Sequence, residues 1–219
     1  GMLAALDQSP RHKDSIGVRR GAFFYERNSN STGTVHNLFE YGIAGDKPVM
    51  GDWDGNRTDT AGVFRGPWFY LRNSNSGGAT NYAFEYGLAG DTPLVGDWDG
   101  DGRDGVGVWR NGWFFLRNSL SPGAPNYTFA FGNPTDIPIA GDWNNDGRDS
   151  IGLYRAPFFI LRNPLSTGAA EAVFEFGLAG DKPVVGDWNA DGWDGVGVYR
   201  APYFYLKDGH VSGAQDYFA

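Results

Sequence analysis

One phrase returns four times at a constant interval, and that interval restricts the chain to very few architectures. Gly51-Asp52-Trp53 is followed by Gly96-Asp97-Trp98, Gly141-Asp142-Trp143 and Gly186-Asp187-Trp188, each 45 residues after the last with no insertion or deletion. A period of roughly 40 to 50 residues built from short apolar runs marks a stacked or circular array of β units, none of which can bury its apolar faces alone.

Each period reads as four strands. In the copy from residue 92, an apolar run at 92–97 is followed by an acidic loop at 98–104 and a valine-rich run at 105–110. Asn111-Gly112 is a strong hairpin signal. An aromatic run at 113–117, a Ser/Pro/Gly loop and a fourth run at 127–131 complete the unit, which Gly132-Asn133-Pro134 breaks. The second strand occurs five times, as Ile16-Gly17-Val18, Ala61-Gly62-Val63, Val106-Gly107-Val108, Ile151-Gly152-Leu153 and Val196-Gly197-Val198. The units are therefore five, at about 3–46, 47–91, 92–136, 137–181 and 182–219. The first has a worn opening strand at 3–7 with Gln8 in the Trp place, and the last stops in its fourth strand. Five four-stranded antiparallel units predict a single five-bladed β-propeller, in which neighbouring sheets bury each other's faces. A linear β-solenoid is the competing architecture. The glycine-bearing strand at 48–52 and its equivalents are expected innermost, unless the phase shifts by one strand and 3–7 closes the last blade.

With 34 Gly, 16% aromatic residues and two Met, the composition suits strands and tight turns better than helices. No apolar run is long enough to span a membrane, and a net charge of −8 disfavours nucleic acid and anionic lipid surfaces. No Cys is present, so no disulfide staples the fold.

The acids are concentrated. Four loops carry oxygen-bearing side chains at positions 1, 3, 5 and 8: Asp52, Asp54, Asn56, Asp59; Asp97, Asp99, Asp101, Asp104; Asp142, Asn144, Asp146, Asp149; and Asp187, Asn189, Asp191, Asp194. They hold thirteen of the chain's 26 acidic residues. Such crowding is repulsive unless a cation sits among the carboxylates. Hard oxygen donors in this number suit Ca²⁺, and without His or Cys they disfavour Zn²⁺ and Cu²⁺. Up to four Ca²⁺ are expected. The competing reading makes these residues turn formers that cap their own backbone. The equivalent stretch of the first unit, from Asp7 to Asp14, has lost the other acids and gained cations, so no metal is expected there.

These Asp-x-Asp-x-Asp-Gly loops, with Phe131-Gly132 and Phe176-Gly177 before each new unit, resemble the FG-GAP/VCBS type of bacterial repeat, related to the propeller repeats of integrin α-chains. The resemblance implies a propeller with calcium between the first two strands of a blade, and extracellular adhesion or ligand recognition. Asp104 stands one residue earlier than the last acid of the family's loop.

A second recurring set follows the third strand: Arg72-Asn73, Arg117-Asn118 and Arg162-Asn163. With Trp68, Trp113 and Tyr203 they are the ingredients of a sugar site, an aromatic face beside planar donors. The alternative assigns the aromatics to the core and Arg/Asn to turns. His12, His36 and His210 do not recur and read as surface residues, while Glu40, Glu85 and Glu175 recur in register. The expected function is a non-catalytic, lectin-like glycan-binding module at the cell surface or outside the cell. A protein–protein adhesion scaffold is the alternative, and a glycoside hydrolase, which needs two carboxylates in unequal settings, is a third.

Overall fold

In a computed structural model, which describes residues 13–219, the chain forms an all-β, five-bladed propeller. The first blade contributes β1 (Gly17–Arg20), β2 (Phe23–Glu26) and β3 (Asn37–Glu40). The second has β4 (Lys47–Gly51), β5 (Thr60–Arg65), β6 (Trp68–Leu71) and β7 (Tyr82–Glu85). The third has β8 (Thr92–Gly96), β9 (Gly105–Arg110), β10 (Trp113–Arg117) and β11 (Tyr127–Ala130). The fourth has β12 (Ile137–Gly141), β13 (Ser150–Arg155), β14 (Phe158–Arg162) and β15 (Ala172–Glu175). The fifth has β16 (Lys182–Gly186), β17 (Gly195–Arg200), β18 (Tyr203–Lys207) and β19 (Tyr217–Phe218). Strands pair antiparallel in sequence order within each blade. The expected opening strand at 3–7 lies outside the described residues.

β4, β8, β12 and β16 are innermost, as the glycine argument expects. Val49, Leu94, Ile139 and Val184 with their neighbours line one apolar axial cavity of about 230 Å³. Blades two to five each begin on the axis and complete four strands within their own unit.

The cores lie between sheets. Val49, Trp53, Phe69 and Leu71 of the second blade pack with Val106 and Val108 of the third. The pattern continues round the ring, and Ile16 of the first blade packs with Val184, Trp188 and Leu206 of the fifth. Alternation along the third strand sorts its aromatics. Phe24, Phe69, Phe114, Phe159 and Phe204 are buried, whereas Phe23, Trp68, Trp113, Phe158 and Tyr203 stay exposed. The buried rings stack on Phe39, Phe84, Phe129 and Phe174 of the fourth strand in blades one to four, with centroids 5.0 to 5.7 Å apart. Deleting such a ring costs about 3–5 kcal/mol.

The first blade departs from the others. Where Leu71, Leu116, Leu161 and Leu206 are buried, it has Glu26, 2% exposed. Glu26 Oε2 accepts from Asn37 Nδ2 at 2.9 Å, and Oε1 has no partner. Arg19 replaces the aromatics Phe64, Trp109, Tyr154 and Tyr199, and its guanidinium donates to the carbonyls of Asp46, Tyr41 and Ile43.

Candidate functional site

The recurring Gly-Asp-Trp phrase is the joint between blades. Asp52 N–H donates to Asp104 Oδ2 at 2.7 Å, and Asp104 N–H donates to the Asp52 carbonyl at 2.9 Å. Asp97 makes the same pair with Asp149, and Asp142 with Asp194. Asp187 makes it with Asp14, 173 residues away, which closes the ring. The glycine is required by close approach: a Cβ on Gly96 would stand 2.8 Å from Asp149 Oδ2 and from the Trp98 ring. The tryptophans are buried, and Trp53, Trp143 and Trp188 each donate Nε1–H to a carbonyl of their own blade at 3.1 Å.

This reassigns the last acid of three of the four loops. Asp104, Asp149 and Asp194 were expected to complete their own loop's ligand set, yet each commits Oδ2 to the preceding blade. Burial pushes all three carboxyls up, Asp149 to about 7, and neighbouring aspartates add to the rise. Asp14, which sequence reasoning left among the worn residues, is a full member of this set.

The loops keep one shape. Positions 4 and 6 are left-handed in every copy: Gly55 and Arg57, Gly100 and Gly102, Asn145 and Gly147, Ala190 and Gly192. Arg57 at φ 66 accepts a conformation that favours glycine, so its substitution leaves the turn intact. The first aspartate organises the turn. Asp97 Oδ1 accepts from the N–H of Gly100 and Asp101, and Oδ2 from that of Gly102, at 2.8 to 3.1 Å. Asp52 and Asp187 do the same, and Asp142 accepts from the N–H of Asn144, Asp146 and Gly147. Turn-forming is thus a real role of position 1.

Among the described residues, one loop brings three carboxylates together. Oxygens of Asp97, Asp99 and Asp101 lie within 4.8 Å of one another, a group of three without Asp104. At Ca–O distances of roughly 2.3–2.6 Å, a cation fits between donors so spaced. The donor chemistry fits too, since every donor is a hard carboxylate oxygen. In two sister loops an amide occupies position 3 and donates to position 5, Asn144 to Asp146 at 3.0 Å and Asn189 to Asp191 at 2.8 Å. That bond relieves the carboxylate that a cation would otherwise neutralise. In the loop of Asp52, Asp54 and Asn56, the Asn56 N–H donates to Asp54 Oδ1.

The expected sugar residues do not form one cluster. Trp68 begins β6 and Arg72 follows its end, about 13 Å along an extended strand. The same separation divides Trp113 from Arg117 and Asn118. Arg117 donates to the Ser121, Pro122 and Ala124 carbonyls and to Ser121 Oγ, and Arg162 repeats this with Ser166, Thr167 and Ala169. Arg72 holds its loop through the Ala79 carbonyl and Ser76 Oγ. Asn73 and Asn118 donate backbone N–H to Asn81 and Asn126, and Asn163 to Glu171. These residues shape a loop. Tyr203 is exposed and meets Phe218, 4.8 Å away. His210 is no simple surface residue: its Nε2 meets the Asp194 carbonyl at 2.7 Å, as Asn75 Nδ2 meets that of Asp59. Its ring lies edge-on to Trp143 of the next sheet.

Pockets open instead at the blade junctions. Between blades one and two, Glu40, Tyr41, Arg65 and Tyr70 surround a cavity of about 660 Å³. In register at the next junction, Glu85, Tyr86, Arg110 and Phe115 border about 250 Å³. Between blades four and five, Glu175, Phe176, Arg200 and Tyr205 border about 430 Å³. Each arginine is fixed by a bidentate pair with an aspartate, Asp46, Asp91 or Asp181, and lies 4.9 to 5.1 Å over the aromatic ring. Between blades three and four, Ala130 and Ile160 replace the glutamate and the ring. The signal was present in sequence, as Glu40, Glu85 and Glu175 recur in step with Arg65, Arg110 and Arg200.

No family model matches the chain, and no curated protein matches it. Among the described residues no helix is long and apolar enough to cross a membrane.

Proposed function

We propose that this chain is a non-catalytic recognition module of the FG-GAP/VCBS kind that holds glycans at its blade junctions, at the cell surface or outside the cell. One observation carries the reading: the same cavity recurs at three junctions, each with a carboxylate, a fixed guanidinium and an aromatic ring. Repetition of weak sites at fixed spacing favours a ligand that is itself repetitive, since avidity multiplies modest affinities. The buried aspartates also support binding over catalysis, because they recur with the repeat where a hydrolase needs one unequal pair. A glycan array probed with the full chain tests this directly. Binding to no glycan sinks the reading.

Ca²⁺ belongs to the same proposal as a structural partner, held first by Asp97, Asp99 and Asp101. Its chemistry there is charge neutralisation of a crowded loop. Millimolar Ca²⁺ is expected to raise the melting temperature by several degrees over chelator-treated protein, since ligand at about 100 times its Kd adds about 2.7 kcal/mol. The double variant D99N/D101N should lose most of that shift. An identical melting temperature with and without chelator removes calcium from the proposal.

A protein partner is the second reading. It is favoured by the ring of exposed Phe23, Trp68, Trp113, Phe158 and Tyr203, one per blade at the same register. Aromatic residues are over-represented at protein interfaces.

A further inference from the structure

The junction cavities share one plan, but the one between blades two and three holds a hydroxyl that the others do not leave unpaired. Across the first junction, Tyr41 Oη and Thr80 Oγ1 are hydrogen-bonded at 3.0 Å. Forty-five residues on, Pro125 takes the place of Thr80, and Tyr86 Oη has no hydrogen-bond partner. Tyr86 is 6% exposed and borders the cavity between blades two and three. An unpaired buried hydroxyl is destabilising by about 1–3 kcal/mol. Packing does not require it, because Phe131 and Phe176 fill the same place at the following junctions. The other walls are complementary. Arg110 spends Nε and Nη2 on Asp91, leaving Nη1, and lies over the Phe115 ring. Glu85 is exposed at the mouth, and Phe115 with Pro125 offers apolar surface.

We propose that the junction between blades two and three is the chain's selective site, where the Tyr86 hydroxyl bonds a hydroxyl of a neutral, pyranose-sized polyol. The assignment rests on the glycan reading above. The sugar's C–H face lies against Phe115 and Pro125, Glu85 accepts from a second hydroxyl, and Arg110 donates to a third oxygen. Burial also pushes the Tyr86 phenol up to about 12, so it stays a neutral donor at physiological pH.

The test uses the full chain and four probes: methyl α-glucoside, methyl β-galactoside, methyl α-mannoside and N-acetylglucosamine, titrated by calorimetry or NMR. At least one should bind wild type. Tyr86→Phe should weaken it about tenfold while melting, without sugar, no lower than wild type. Pro125→Thr, which gives the hydroxyl an internal partner as Thr80 does for Tyr41, should weaken it as well. A lost hydroxyl that were merely structural would leave affinity untouched. A sugar that binds wild type and Y86F equally overturns this assignment and leaves the glycan reading standing. Failure of all four probes to bind wild type also overturns it, and the array then decides the wider reading.

Discussion

Replacing Glu26 with leucine is expected to raise the unfolding free energy by about 2–4 kcal/mol above neutral pH, the scale of returning an unpaired buried acid to an apolar side chain. The four equivalent positions show that leucine fits: Leu71, Leu116, Leu161 and Leu206 are all buried there. Asn37 Nδ2 keeps its other bond, to the Asn75 carbonyl at 3.0 Å, and Asn37 is only half-buried, so water can take the N–H that Glu26 gives up. The sign with pH is specific. Burial pushes the Glu26 carboxyl from 4.5 up to about 7, with the Asn37 bond acting weakly against it. The folded state then holds the proton more tightly than the unfolded chain, so stability is full below the unfolded value and is lost as pH rises through the folded one. That loss is on the order of 3 kcal/mol for the wild type. E26L should flatten this part of the curve. Urea unfolding of both proteins across that range measures it, and equal stability above neutral pH would sink the argument.

At the blade joint, Asp149→Ala is expected to lose about 1–3 kcal/mol, because the Asp97 N–H is left without its acceptor. Asp149→Asn separates the two properties of the side chain. It keeps an oxygen for the Asp97 N–H and removes the charge that burial makes unfavourable. Since the folded carboxyl is raised to about 7, the ionic form weakens the joint as pH rises towards and beyond that value. D149N should therefore match or exceed wild type in alkaline, chelator-treated buffer while D149A falls below it. Denaturation curves in which the alanine and asparagine variants coincide would remove the hydrogen bond from the account.

Much of the fold was legible because a repeat reports the same answer several times. The five units, their four strands, the Asn111-Gly112 hairpin and the axial place of the glycine-bearing strands all follow from a constant spacing and from alternation. Contacts between units were not legible, because period alone says nothing of what crosses a junction. Asp104 sits seven residues from Asp97 in its loop, and reads as its ligand partner, but its carboxylate is spent on the blade before. Arg72, Arg117 and Arg162 looked available until the carbonyls of their own loops were seen to hold them. The junction pockets share this cause, as Glu85 and Arg110 belong to different blades. Glu26 was readable by aligning the repeats, where one acid stands among four leucines.

The bond pair from Asp14 to Asp187 repeats the chemistry of the other joints over a far longer stretch of chain, 173 residues against 52. By loop-closure entropy alone, that seam is about 1 kcal/mol harder to form than its sisters. Neighbouring blades can therefore assemble in order along the chain, and the circle is completed last. The amides of Asp52, Asp97, Asp142 and Asp187 then act as a built-in gauge. Four protons sit in matching surroundings, and the rate at which the fourth exchanges with solvent, set against the other three, reads how often the circle springs open.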